Sequence, residues 1–61
     1  MTKFKVVEVD GYIRTTICKD GKPNKYGEPK LFKSLKEAQS WIDKHSYVGM
    51  SFKYVIVEVN I

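Results

Sequence analysis

The chain has 61 residues and a mass of 7.1 kDa, so we expect one small domain, residues 1–61, rather than two independent cores. Apolar residues make up 43% and charged residues 30%, which is typical of a folded protein and excludes a disordered tail. The single cysteine, Cys18, excludes an internal disulfide. With the single His45 it leaves too few ligands for a structural zinc site, and we expect no metal and no other cofactor.

The N-terminal residues, Met-Thr-Lys-Phe-Lys, lack the apolar segment of a signal peptide. No apolar run reaches the roughly 20 residues of a membrane span. We therefore expect a cytoplasmic protein that binds no membrane.

The first third of the chain has the pattern of a β-hairpin. Residues 3–9 and 12–18 are rich in β-branched and aromatic side chains, and Asp10-Gly11 between them is the dipeptide that favours a two-residue type I′ turn. Residues 19–29 contain both prolines and two of the four glycines, which predicts a long loop. A short strand over residues 30–33 is expected to follow it.

The second half of the chain predicts one helix and one long strand. Ser34 and Glu37 have the Ser-x-x-Glu spacing of a capping box, which marks a helix start. Helical spacing then places an apolar side on the core: Leu35, Ala38, Trp41, Ile42 and His45. Residues 46–51 are expected to form a second loop and residues 52–60 the last strand. The order ββ(β)αβ predicts an α+β domain, with one helix on one face of a small, mostly antiparallel sheet of three to four strands.

The first and last strands have similar sequences, Val7-Glu8-Val9-Asp10 and Val57-Glu58-Val59-Asn60. Such similarity is expected of central strands in the same environment. We therefore predict that the two strands are central and lie side by side.

The positive charge is concentrated in one window of the sequence. Residues 19–36 contain six lysines and two acidic residues, a net charge of +4, whereas the remaining charges cancel. Such a window is either a solvated loop or a surface that gathers phosphates near the start of the helix. In the second interpretation the nucleic-acid-binding residues are Lys19, Lys22, Lys25, Tyr26, Lys30, Lys33 and Lys36, with Arg14 and Thr16 as sheet contacts.

Strand alternation predicts a second surface, on the side of the sheet away from the helix. If Phe4, Val6, Ile13, Ile17, Tyr54 and Ile56 face the helix, then five valines face the other way: Val7, Val9, Val55, Val57 and Val59. An open face of this kind is too apolar to be left in water. The long loop, a second copy of the chain in a homodimer, or another protein is expected to cover it.

Nothing in the sequence predicts catalysis. No nucleophile is implied next to His45, and no glycine-rich phosphate loop is present. A concave site of roughly 300 Å³ or more is also hard to build in so short a chain. We therefore expect a protein that is not an enzyme.

Residues 12–46 resemble the arm-type DNA-binding domain of tyrosine-family phage and transposon integrases. The resemblance rests on Tyr12-Ile-Arg, Lys19-Asp-Gly and Phe32-Lys-Ser-Leu-Lys-Glu-Ala38 followed by Trp41. That family places a three-stranded sheet on DNA, which implies sheet contacts by Arg14 and Thr16. The chain departs from it in the strong strand that follows the helix. Its general character is similar to that of small proteins of phages and mobile elements.

Two functions follow from these surfaces. The first is binding of nucleic acid, or of a complex that handles nucleic acid, through the basic residues 19–36. The alternative is inhibition or modulation of a host protein, such as a defence nuclease, through the valine face or a strand edge.

Overall fold

The computed structural model describes all 61 residues. Three strands, β1 (Thr2–Asp10), β2 (Ile13–Thr16) and β3 (Lys53–Asn60), form an antiparallel sheet in the order β2-β1-β3. One helix, α1 (Leu35–His45), lies between β2 and β3 in the sequence. The predicted α+β class is confirmed. The helix has 11 residues, too few to cross a membrane.

The hairpin of β1 and β2 is confirmed, but its turn differs from the prediction. Asp10 lies opposite Ile13, so the two loop residues are Gly11 and Tyr12. Gly11 has a φ of +63° and no other residue of the turn has a positive φ. This pattern is that of a type II′ turn, which needs glycine at its first position, whereas type I′ needs positive φ at both.

Strand β1 lies at the centre of the sheet, and β3 pairs with it along the whole length of β3. The register is continuous from Thr2 opposite Asn60 to Val9 opposite Lys53. The prediction that the first and last strands are neighbours is therefore confirmed. The prediction that both are central is wrong, because β3 forms an edge of the sheet.

The segment between β2 and the helix is held by isolated bridges rather than by a further strand. Pro23 bridges to Ile17, Pro29 to Cys18 and Phe32 to Phe4. The strand expected over residues 30–33 is thus reduced to Phe32, whose N–H and C=O both bond to Phe4 at 2.7 and 3.0 Å. Proline has no N–H to donate, so Pro23 and Pro29 limit the length of ladder that this segment can form.

The helix begins as the sequence predicts. The Oγ of Ser34 accepts a hydrogen bond from the N–H of Glu37 at 3.2 Å. The Glu37 carboxylate accepts from the N–H of Lys33, one residue before the cap, at 3.1 Å. Lys44 and His45 occupy the last turn, where positive charge suits the helix dipole.

The core lies between the helix and one face of the sheet. Its buried centre is Val6, Ile17, Phe32 and Ala38, and the half-buried side chains packed around it are Phe4, Trp41, Ile42, Tyr54 and Ile56. Ile13, expected on this face, is 64% exposed because it lies near the tip of the hairpin. Leu35 and His45, at the two ends of the helix, are also exposed, although the ring of His45 stacks on that of Trp41 with 4.0 Å between the ring centres.

Candidate nucleic-acid interface

The face of the sheet away from the helix carries four positive charges and no negative charge. Residues directly opposite each other on antiparallel strands share a face. The register gives the rows Arg14–Val9–Lys53, Thr16–Val7–Val55, Lys5–Val57 and Lys3–Val59. We call this surface the cationic face, and its residues are Lys3, Lys5, Val7, Val9, Arg14, Thr16, Lys53, Val55, Val57 and Val59.

The acidic residues of the strands all lie on the other side. Glu8 pairs with Thr15 and Tyr54, Asp10 with Ile13, and Glu58 with Phe4, in rows that face the helix. Charges that cancel along the sequence are thus sorted by strand alternation onto opposite faces of the sheet. The cationic face therefore has a positive potential, which is not apparent when the charged residues of the strands are counted without regard to the face on which they lie.

The five predicted valines lie together on this face, as strand alternation required. Val7, at its centre, is only 6% exposed, and the other four valines are half-buried. The helix packs on the opposite face, so it does not provide this shielding. The result is an apolar centre with Arg14 and Lys53 at one end and Lys3 and Lys5 at the other.

The long loop lies along the β2 edge and borders the cationic face at one point. Asn24 donates its N–H to the carbonyl of Thr16 at 3.2 Å, and the Sγ of Cys18 lies 3.3 Å from the Asn24 carbonyl oxygen. Cys18 follows Ile17, whose side chain is in the core, so the thiol is on the far side of the sheet. This contact places Lys25 and the fully solvated Tyr26 at the border of the cationic face.

Two further loop lysines lie outside this face. Lys19 forms an ion pair with Glu28, with 2.7 Å between Nζ and Oε2. The hydrogen bond and the charge of Lys19 lower the pKa of Glu28, and the same pair raises the pKa of Lys19. Lys22 is exposed, and its N–H is held by the Asp20 carboxylate at 3.0 Å.

The last three predicted lysines belong to the helix side of the molecule. The Nζ of Lys30 lies 5.8 Å from the centre of the Phe32 ring, a residue of the core, and Lys36 is in the first helical turn. Lys33 immediately precedes the cap, and its N–H is already bonded to Glu37. The carboxylate of Glu37 adds a negative charge in the first turn of the helix, beside the place where the sequence had suggested a phosphate. The residues predicted as one site are therefore divided between two sides of the sheet.

Sequence reasoning did not select Lys3, Lys5 and Lys53. All three lie in strands where a nearby acidic residue balances their charge. The net charge of those sequence segments is therefore close to zero and does not indicate a basic surface. Their alternation with valines, in Lys3-Phe-Lys-Val-Val-Glu-Val9 and Lys53-Tyr-Val-Ile-Val57, does place them on the valine face.

The cationic face ends in a depression at the hairpin end of the sheet. Val9 and Lys53 line a shallow cleft of about 440 Å³ together with Gly11 and residues 50–52, so a concavity above the size that we expected to be hard to build in so short a chain is present. A partner that lies on the flat part of the face can therefore insert a protruding group beside Lys53.

Comparison of the chain with protein-family models, with curated proteins and with solved structures finds no match.

Proposed function

We propose that the protein binds nucleic acid through the cationic face, with Lys25 and Tyr26 at its border. The observation that supports this most directly is the separation of charge in the sheet, which leaves Lys3, Lys5, Arg14 and Lys53 on one face without an acidic residue. A phosphate backbone is the polyanion that such a surface attracts most strongly.

The same charges argue against a second copy as the partner of this face. Two cationic faces packed together would bring eight positive charges into one interface with no carboxylate among them. Like charges at an interface cost several kcal/mol. The partner of the cationic face is therefore expected to be anionic.

The spacing of the cations suits a groove of duplex DNA. With a rise of about 3.4 Å per residue, Lys5 and Lys3 lie about 14 and 20 Å along the sheet from the row of Arg14 and Lys53. The major groove is about 12 Å wide, so the two ends of the face can reach the phosphates of both walls.

Between these ends the valines would lie over the base edges, where an apolar side chain contacts the thymine methyl group. Arg14 is the one arginine in the chain, and its planar guanidinium is the group of the face best suited to a bidentate contact with guanine. Binding is therefore led by the backbone, with limited sequence preference.

The apolar centre of the face supports a second candidate, an acidic surface of another protein. Half-buried valines with cations at both ends fit an apolar patch bordered by carboxylates, as an inhibitor of a host protein would require. Such a complex would retain most of its affinity in salt, because burial of the valines does not depend on counterion release.

Fluorescence anisotropy of labelled duplex and single-stranded DNA, titrated at about 50 and 200 mM salt, tests the proposal. Four to five phosphate contacts give a log–log slope of about −4, and thus a loss of affinity of two to three orders of magnitude. Absence of binding at the lower salt concentration would overturn the nucleic-acid proposal and favour the acidic protein.

A pair of double variants locates the interface. Lys5→Gln with Lys53→Gln removes two charges from the cationic face, whereas Lys36→Gln with Lys44→Gln removes two exposed charges from the helix. Both variants have the same net charge. The first is expected to lower the salt slope by about 2 and the second to leave it nearly unchanged. Equal losses would show that binding depends only on the total charge and not on this face.

A further inference from the structure

The outer edge of β3 carries backbone groups that have no partner in the chain. The carbonyl of Val6 accepts from Ile17, and Phe4 bonds to Phe32, so the even residues of β1 point away from β3. The odd residues of β1 therefore bond to the odd residues of β3. It follows that the N–H and C=O groups of Tyr54, Ile56 and Glu58 point outward, away from the sheet.

The opposite edge of the sheet is covered. β2 has only four residues, and residues 17 and 18, which extend it, are bridged by Pro23 and Pro29. Next to the first half of β1, Phe32 occupies the place of a neighbouring strand. The long loop thus closes one edge of the sheet, while β3 leaves the other open over eight residues.

Strand β3 has few of the features by which proteins usually prevent pairing at an edge, because its two charged residues, Lys53 and Glu58, lie outside its centre. It contains no proline, and its continuous register with β1 leaves no bulge. Four consecutive uncharged residues, 54–57, form its centre. Long, regular and apolar edges of this kind pair with other strands.

We propose that β3 pairs with β3 of a second copy, in an antiparallel register centred on Ile56. Only residues whose backbone groups point outward can exchange hydrogen bonds with the second copy. The hydrogen-bonded pairs between the two β3 strands are therefore restricted to even-numbered residues. Centring on Ile56 places Ile56 opposite its own equivalent and Tyr54 opposite Glu58 of the second copy, twice by symmetry. A register centred on Val57 would instead place the carboxylate of Glu58 opposite Ile56.

The charges of β3 are compatible with this self-pairing. Lys53 and Glu58 lie on different faces of the sheet, and in the proposed register neither lies opposite its equivalent. On the cationic face Val55 lies opposite Val57 of the second copy, which extends the apolar centre across the interface. Cross-strand pairs of this kind are favourable, whereas directly opposed like charges are not.

The product is a continuous six-stranded sheet with both helices on one side. Its other side joins two cationic faces in one plane, side by side rather than face to face. Self-pairing at the edge is independent of what the cationic face binds, and therefore stands or fails separately from the proposed function.

Two substitutions at position 58 test this dimer. The N–H of Glu58 points outward, so Glu58→Pro removes a donor and adds bulk at the edge without breaking a bond to β1. Glu58→Ala removes the same charge and keeps the N–H. Circular dichroism verifies that both variants fold, and sedimentation equilibrium gives their masses over a wide range of protein concentration.

We expect the native chain and Glu58→Ala to reach twice the chain mass of 7.1 kDa and Glu58→Pro to remain monomeric. Amide exchange at Tyr54 and Ile56 is expected to be slow in the dimer and fast in the proline variant. A native chain that remains monomeric at its highest soluble concentration would overturn the proposal. So would a dimer that tolerates proline at position 58. If Glu58→Pro does not fold, unprotected Tyr54 and Ile56 amides in a dimer of the native chain would overturn it as well.

Discussion

Gly27 packs so closely on Cys18 that a Cβ atom added at position 27 would lie 2.7 Å from the Sγ atom. The contact fixes the middle of the long loop against the end of β2, where the thiol also lies 3.3 Å from the Asn24 carbonyl oxygen. A lone cysteine and a glycine in a loop thus form one packing unit. The loop is anchored by van der Waals contact as well as by backbone bonds.

Gly27→Ala is expected to lower the free energy of unfolding by about 1–3 kcal/mol, because an added methyl group in a packed site forces its neighbours apart. In a Cys18→Ala background the same substitution should cost much less, since the Sγ atom that it meets has been removed. Urea denaturation of the two single variants and the double variant measures this coupling. Additive effects would show that the two residues do not meet in solution.

The pKa of Tyr54 is raised above its ordinary value of 10.0, mainly by burial and further by the negative charges of Glu8 and ionised Tyr47. A group whose pKa is higher in the folded than in the unfolded state stabilises the fold below the unfolded pKa. This contribution is lost as the pH rises through the folded pKa. Stability should therefore decline above pH 10 partly through Tyr54.

Tyr54→Phe is expected to flatten that decline, because it retains the ring and removes the titrating group. The urea midpoint measured from pH 8 to 11.5 checks the expectation. Tyr26→Phe, which removes an exposed phenol at the loop border, serves as the matched control. Identical profiles for the native chain and Tyr54→Phe would contradict this assignment.

The type II′ turn makes Gly11 sensitive to substitution. Its φ of +63° is unfavourable for an L-residue, although nothing lies within 4 Å of a Cβ atom at this position. Gly11→Ala should therefore cost about 1–2 kcal/mol through backbone strain alone. D-alanine, introduced by chemical synthesis, has the matching preference and should cost nothing. Thermal unfolding that ranks the two isomers in the opposite order would exclude this turn type.

Local signals in the sequence predicted most of the fold. Ser34 and Glu37 mark the start of the helix, and the glycine after Asp10 marks the hairpin, because caps and turns depend on a few adjacent residues. The type of turn was not predictable, because Asp10-Gly11 is compatible with two pairings of β2 with β1. These two registers differ by two residues, and each has its own turn type. Because the shift is an even number, it leaves each side chain of β2 on its original face.

The candidate site was less predictable, because it depends on which strands are neighbours. Lys53 joins Arg14 on one face only when β3 pairs beside β1, across a sequence separation of 44 residues at Val9. The cluster of lysines from 19 to 36 is visible in the sequence. The structure places its members on different sides of the sheet, because the segment turns from the β2 edge to the helix.

The central position of β1 has a consequence for how the protein is made. β1 is the first of the three strands to be synthesised, and β3, the longer of its two neighbours, is the last, since Thr2 pairs with Asn60. Until then the sheet consists only of the β1–β2 hairpin and the bridge of Phe4 to Phe32, and a two-stranded hairpin is marginally stable in water. Closing so long a loop is entropically costly and slows folding. The sheet therefore remains open along one side of β1 until β3 has been synthesised.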